Sequence, residues 1–154
     1  MLAKTKSLMI AAGSLLAAIL AGTASAAAAD GAAIFQDVCK ACHADGGVGT
    51  PGLAPPLVSP VVATSAAKKP DYALLVVLHG LSGSLPLSGG DSISGIMPPI
   101  GLRLSDDDIA AVVGYVFGTL NKTPAAIESK TVAELRAKSP TAKELRAMRE
   151  ELMK

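Results

Sequence analysis

The chain has no tryptophan, only two phenylalanines and two tyrosines, two cysteines and two histidines in 154 residues. Phe35, Tyr72, Tyr115 and Phe117 are too few to dominate a core, so alanine, valine and leucine must fill it. Small domains bury a low fraction of their surface, and such a chain gains from a large apolar cofactor or another staple. Two cysteines exclude a disulfide framework and a cysteine-rich zinc site. Fourteen cations against thirteen anions leave a net charge of +1, which excludes an electrostatic binder of nucleic acid. There is no internal repeat of solenoid length, and one domain is expected.

What is present starts with an export signal. Lys4 and Lys6 form a positive region, Leu8 to Leu20 an apolar one, and Ala24-Ser25-Ala26 a small-residue cleavage site, so residues 1–26 read as a signal peptide. The apolar stretch is shorter than the ~20 residues that a bilayer requires. After cleavage no segment that could span a membrane remains, and the mature chain is expected in the periplasm.

Both cysteines lie in Cys39-Lys40-Ala41-Cys42-His43. A disulfide between them is the plain alternative in an oxidising compartment, and a thioredoxin-like pair would want a βαβ pattern that is not visible. Covalent haem attachment fits best: two thiols reach the two vinyl groups and one imidazole lies below the iron, all within a helical turn and its exit. The cofactor expected is one haem c per chain, and the haem-free form is expected to be loosely folded. His43 should donate its other ring N–H to a carbonyl. The loop 46–60, rich in glycine and proline, offers carbonyls without competing donors, and Pro55 is the chosen partner; a merely rigid turn is the competing reading. For the sixth iron position the candidates are Met97, His79, Met148 and Met153. Met97 is preferred, because Pro98 and Pro99 stiffen the backbone and Gly95 allows close approach. His79 reads as a capping or surface histidine, and Met148 and Met153 as parts of an apolar stripe.

Asp30 can cap a first helix from Gly31 to about Lys40, and Pro70-Asp71 opens another running to about His79, with Gly80 beyond its end. Residues 82–95 read as a mobile Gly/Ser-rich loop. Ser105-Asp106-Asp107-Asp108 is a capping box, followed by Ile109, Val112, Val113, Val116, Phe117 and Leu120 on one helical face. Ala110, Gly114 and Gly118 form a stripe of small side chains that would admit another helix closely. Beyond Asn121, Thr131-x-x-Glu134 and Thr141-x-x-Glu144 each predict a capping box opening a short helix. Leu135, Leu145, Met148 and Leu152 make a stripe too thin for a core of its own, so this tail either folds back or binds another protein.

Taken together, Phe35 in the first helix, the attachment motif, Pro51 to Leu57, Leu78-His79-Gly80-Leu81-Ser82-Gly83, Met97-Pro98-Pro99 and Leu104 to Ala110 leading to Tyr115-Val116 resemble class I c-type cytochromes. The resemblance is closest to small periplasmic ones that serve as subunits or electron acceptors of bacterial dehydrogenases. It covers about Asp30 to Leu120 and implies an all-α cytochrome c fold, with about three core helices around one covalent haem, in residues 27–120; the capping boxes and charge make 121–154 a helical basic tail. It also implies that the first and last helices of that domain cross, with Phe35 near Gly114 and Tyr115. One departure is the lack of an aromatic residue shortly before Met97.

The implied function is electron transfer without catalysis, from a periplasmic dehydrogenase towards a terminal oxidase. The competing readings are a free soluble carrier between a bc1-type complex and an oxidase, and a haem sensor or peroxidase if Met97 is labile. Charge bears on the partner: residues 27–120 hold four cations against eight anions, and residues 121–154 eight cations against five anions. The basic tail is therefore either a docking element or a segment lying on its own acidic domain.

Overall fold

The computed structural model describes residues 29–154. The expected signal peptide, residues 1–26, lies outside them.

The first helix, α1, spans residues 31–43. The Asp30 carboxylate accepts from the N–H groups of Ala32 and Ala33 at 3.0 and 3.1 Å, which satisfies two of the donors that every helix start leaves open. Its middle, Phe35–Cys39, is π-helical: the N–H of Lys40 bonds back to the carbonyl of Phe35. Such insertions re-aim the residues that follow and are frequent at functional sites. Here the stretch ends on Cys39, and Cys42 and His43 follow it. The helix ends at His43 rather than near Lys40.

The loop that follows holds a short 3₁₀ turn, Asp45–Gly47, and a backbone bridge between Thr50 and Ala54. Helix α2, Pro60–Lys68, was not foreseen. Its start is nevertheless conventional, since the Ser59 hydroxyl accepts from the Val62 N–H and Pro60 stands in the first turn. Helix α3, Asp71–His79, is as expected and buries Tyr72, Leu74, Leu75 and Leu78.

The segment expected to be a mobile loop is a hairpin. Strands β1 (Leu81–Pro86) and β2 (Ser92–Met97) pair antiparallel, with Leu81 opposite Met97 and Pro86 opposite Ser92. Leu81, Leu85, Ile93 and Met97 are the buried or half-buried apolar residues of the two strands, so a period of two underlies the glycines and serines that obscure it. The all-α expectation is corrected accordingly: the fold is helix-rich with one small two-stranded sheet.

Helix α4, residues 106–120, opens with the expected capping box between Ser105 and Asp108 and ends in a π-helical stretch, Val116–Leu120. It crosses α1. Phe35 and Tyr115 stack with ring centroids 5.6 Å apart. The close backbone approach occurs at Gly31, where any side chain would collide with the carbonyl of Ala111; a side chain at Gly114 would meet nothing within 4 Å. The glycine that matters at this crossing is thus on α1, not in the stripe on α4.

The tail forms α5 (Ser129–Arg136) and α6 (Ala142–Leu152). Thr141 and Glu144 make their capping box. Thr131 does not cap: α5 begins two residues earlier, and the Ser129 hydroxyl instead donates to the Asp107 carboxylate at the start of α4. Both helices fold back on the rest of the chain. Val132, Leu135 and Leu145 join one core with Phe35, Leu74, Ile109 and Phe117, and Leu152 packs with Val61 and Tyr72.

Candidate functional site

The end of α1 presents two thiols and an imidazole in five residues. Cys39 is half-buried and Cys42 exposed, both as free thiols. Burial, helped by the neighbouring Cys42, pushes the Cys39 thiol up from its ordinary value. His43 is only 7% exposed, and its Nδ1 lies 3.0 Å from the carbonyl oxygen of Pro55. Burial lowers the pKa of the ring, more than this hydrogen bond raises it, so the neutral form is favoured. With Nδ1–H donating to Pro55, Nε2 is the nitrogen with its lone pair free. It has no hydrogen bond among the described residues, and none of their buried side-chain nitrogens lacks a partner. Nε2 therefore opens onto space.

Pro55 is held in place from below and behind. Gly49 has φ +83°, and a Cβ there would lie 2.6 Å from the Pro56 nitrogen and 2.9 Å from the Pro55 carbonyl carbon. Only glycine lets the two strands of this loop meet so closely. The Gly49 N–H also donates to the His43 carbonyl at 2.8 Å. Asn121, at the end of α4, closes the far side: its amide donates to the carbonyls of Leu57 (2.9 Å) and Val116 (2.8 Å), and its oxygen accepts from the Ser59 N–H (3.1 Å). Next to His43, Ala44 has φ 61° and ψ 172°, a conformation that costs a side-chain-bearing residue about 1–3 kcal/mol. This strain marks the exit from the motif.

Met97 sits half-buried at the end of β2. Its backbone lies on Gly80, which has φ +77°; a Cβ there would stand 2.6 Å from the Met97 carbonyl oxygen and 2.9 Å from the Pro99 nitrogen. Gly95, expected to provide the close approach, faces the other loop instead, with a Cβ position 3.4 Å from the carbonyl oxygen of Leu53. The segment carrying Pro55 and the segment carrying Met97 therefore meet at one edge. Beyond Met97, on the tail side, is a cavity of about 190 Å³ lined by His79, Gly80, Leu81, Ser82, Ile96, Met97, Pro99, Pro140 and Ala142.

The rival sixth-position residues are engaged elsewhere. His79 Nε2 lies 3.0 Å from the Leu135 carbonyl, and Met148 and Met153 pack against Val61, Tyr72 and Leu152. Sequence reasoning missed Asn121 and the second role of Gly80. The position of Gly80 after a helix predicts a terminator only, and nothing near Asn121 in sequence signals partners at Leu57 and Ser59.

Among the described residues no group of three or more His, Cys, Asp and Glu could hold a metal. One imidazole and two thiols are too few for a metal held by protein alone, and suit a group that brings its own nitrogens. The surroundings fit a large apolar one. Among the described residues the exposed large apolar side chains are Val48, Leu53 and Val58 on the Pro55 segment, and Ile96 (82% exposed) and Leu102 (93% exposed) on the segment that carries Met97. No charged residue occurs in 46–59 or in 92–102. No helix of the described residues is long and apolar enough to cross a membrane.

Comparison with known proteins agrees. Residues 26–116 match the family described as cytochrome C oxidase, cbb3-type, subunit III. The chain is 34% identical to cytochrome c-552 of Thermus thermophilus over 146 residues, which cover 90% of this chain and 95% of that one. It is 33% identical over 107 residues, 69% of its length, to the gluconate 2-dehydrogenase cytochrome c subunit of Pantoea cypripedii, of which it spans 24%. A similar match, 33% over 112 residues, covers 71% of this chain and 23% of the cytochrome c subunit of quinone alcohol dehydrogenase from Gluconacetobacter polyoxogenes. The His43 ring braced on Pro55, the two free thiols beside it, the exposed apolar side chains of the two neighbouring segments and these relatives agree: the chain belongs to the class I c-type cytochromes, proteins of haem-based electron transfer.

Proposed function

We propose that this chain is an exported electron carrier whose haem is bonded to Cys39 and Cys42 and ligated by His43 and Met97, and that it takes electrons from a periplasmic dehydrogenase and passes them towards a terminal oxidase. The observation that carries the reading is the His43 ring, buried, neutral and fixed through Nδ1 to Pro55, with Nε2 left free beside two unpaired thiols. Bound haem supplies a one-electron couple, and a His/Met ligand pair places its potential higher than other axial sets. The chain's own residues do the rest: the Cys39 and Cys42 sulfurs anchor, Pro55 orients His43, and Gly80 sets the backbone height of Met97. His43 and Met97 would together hold the iron and leave little access for an external ligand, which argues against a sensor or peroxidase.

Similarity to dehydrogenase cytochrome subunits supports the donor. A second reading, a free carrier between a bc1-type complex and an oxidase, is favoured by the near full-length match to a cytochrome c-552. Copurification with a large dehydrogenase separates the two.

The ligand set is tested on the purified holoprotein. Haem should stay with the polypeptide under denaturing extraction and be lost to the solvent in Cys39→Ala/Cys42→Ala. The oxidised protein should show the weak far-red charge-transfer band of a thioether on ferric iron, and Met97→Ala should lack it. Rapid carbon monoxide binding by the reduced wild type would count against a filled sixth position.

A further inference from the structure

The basic tail does not present its arginines outward. Arg146 donates to the Ser82 carbonyl, and Ser82 pairs with Ile96, the residue before Met97. The guanidinium lies against the strand at Gly83, where a Cβ would stand 2.8 Å from its Nη1. Arg149, 6% exposed, donates through Nε and Nη2 to the Pro86 carbonyl at 3.2 and 3.1 Å. Arg136 donates to the carbonyls of Gly101 and Leu104 and pairs with Asp106 at 2.7 Å. Arg146 and Arg149 thus hold the hairpin before Met97, and Arg136 holds the chain after it.

Met97 packs against the shared core, and beside it is an open cavity lined by Pro140 and Ala142 of the tail as well as by Ile96 and Met97. The arginine contacts to this segment are to backbone carbonyls, and the cavity leaves space beside the thioether. A two-stranded hairpin is marginal alone, and a planar guanidinium on carbonyls is a charge-assisted, directional restraint.

Resting on the reading of Met97 as the sixth ligand, we propose that Arg136, Arg146 and Arg149 are positioning residues that latch the ligand segment, so that loosening them lets the Met97 sulfur leave the iron. The tail then acts on the haem site without touching it, by setting the fraction of time that the sixth position is open.

The test uses holoprotein, read by the far-red thioether band when oxidised and by the carbon monoxide binding rate when reduced. Arg146→Ala/Arg149→Ala should bind carbon monoxide about tenfold faster than wild type and show a weakened band, the scale expected for lost hydrogen bonds to a charged donor. Arg146→Ala alone gives a smaller change in the same direction and serves if the double variant does not fold. Arg146→Lys should restore part of it. Lys69→Ala is the control: it removes the 3.0 Å pair with Glu151 on α6 and touches no carbonyl of the ligand segment, so it should bind carbon monoxide as wild type does. Arginine variants with a full band and the wild-type rate, or a Lys69→Ala rate raised equally, would overturn the latch. A wild type without the band, or unchanged by Met97→Ala, would instead overturn the ligand reading and the latch with it.

Discussion

At the scale of single residues, Gly46 and Gly49 lie three positions apart, both with positive φ, and differ in what surrounds them. A Cβ on Gly46 meets nothing within 4 Å, whereas one on Gly49 meets the Pro55-Pro56 backbone. Gly46→Ala should therefore cost about 1 kcal/mol, the conformational penalty alone. Gly49→Ala should cost about 3 kcal/mol, because the proline backbone must also move away from His43. Denaturant unfolding of the holoproteins measures both, and equal losses would mean that the close approach carries no weight. Asn121→Ala should cost about 2–3 kcal/mol, since it leaves the Leu57 carbonyl and the Ser59 N–H unpaired in a half-buried place. Cys39, Cys42 and His43 stand out as candidates in sequence because the chemistry proposed for them needs adjacency. Pro55 was legible because a proline loop offers acceptors without donors. Asn121 and Gly80 were not, because what defines each is a backbone packed against it from a distant or opposed segment.

At the scale of elements, the two tail motifs that look alike in sequence behave differently. Thr141→Ala removes a cap and should cost about 1 kcal/mol, while Thr131→Ala, inside α5, should stay within about 0.5 kcal/mol, by thermal or denaturant unfolding. Identical short motifs are not identical caps; where α5 begins is decided by Ser129 reaching Asp107, a tertiary contact. The hairpin was hidden for a related reason. Its glycines and serines mimic a linker, and only the partner strand and the covering tail reveal the alternation. Acid should act through the caps. Thr141 holds the Glu144 carboxyl below its ordinary range through its N–H and then its hydroxyl; Lys69 does so for Glu151 by hydrogen bond and charge; and Ser105 does so for Asp108 through its hydroxyl and then its N–H. A carboxyl with a lowered folded pKa contributes stability that is present above its unfolded pKa and is lost as pH falls through the folded one. Stability should hold above about pH 5 and decline below about pH 4. Hydrogen exchange should show α6 loosening early in that decline, and Glu144→Gln should flatten its acid response.

At the scale of the whole molecule, the tail meets the acidic domain through its arginines. Arg136, Arg146 and Arg149 are engaged by its carbonyls and by Asp106, while Lys130, Lys138 and Lys143 stay exposed. The bias itself could be read from sequence, but not where the tail lies, because the carbonyls that hold it carry no side-chain signature. Two segments without charged residues carry the exposed large apolar side chains of the described residues: Val48, Leu53 and Val58 on one, Ile96 and Leu102 on the other. Attraction through such a face comes from apolar burial, which salt does not screen, whereas a ring of lysines loses its pull within a Debye length. Voltammetry on coated electrodes distinguishes these. The protein should exchange electrons on a methyl-terminated monolayer, with a rate that changes less than about threefold as salt rises across the screening range, and poorly on a carboxylate-terminated one. Ile96→Asp, at a side chain already 82% exposed, should leave the fold intact and weaken adsorption on the methyl surface. A signal confined to an amine-terminated monolayer and abolished by salt would show that the acidic surface, not these apolar segments, governs approach to the haem.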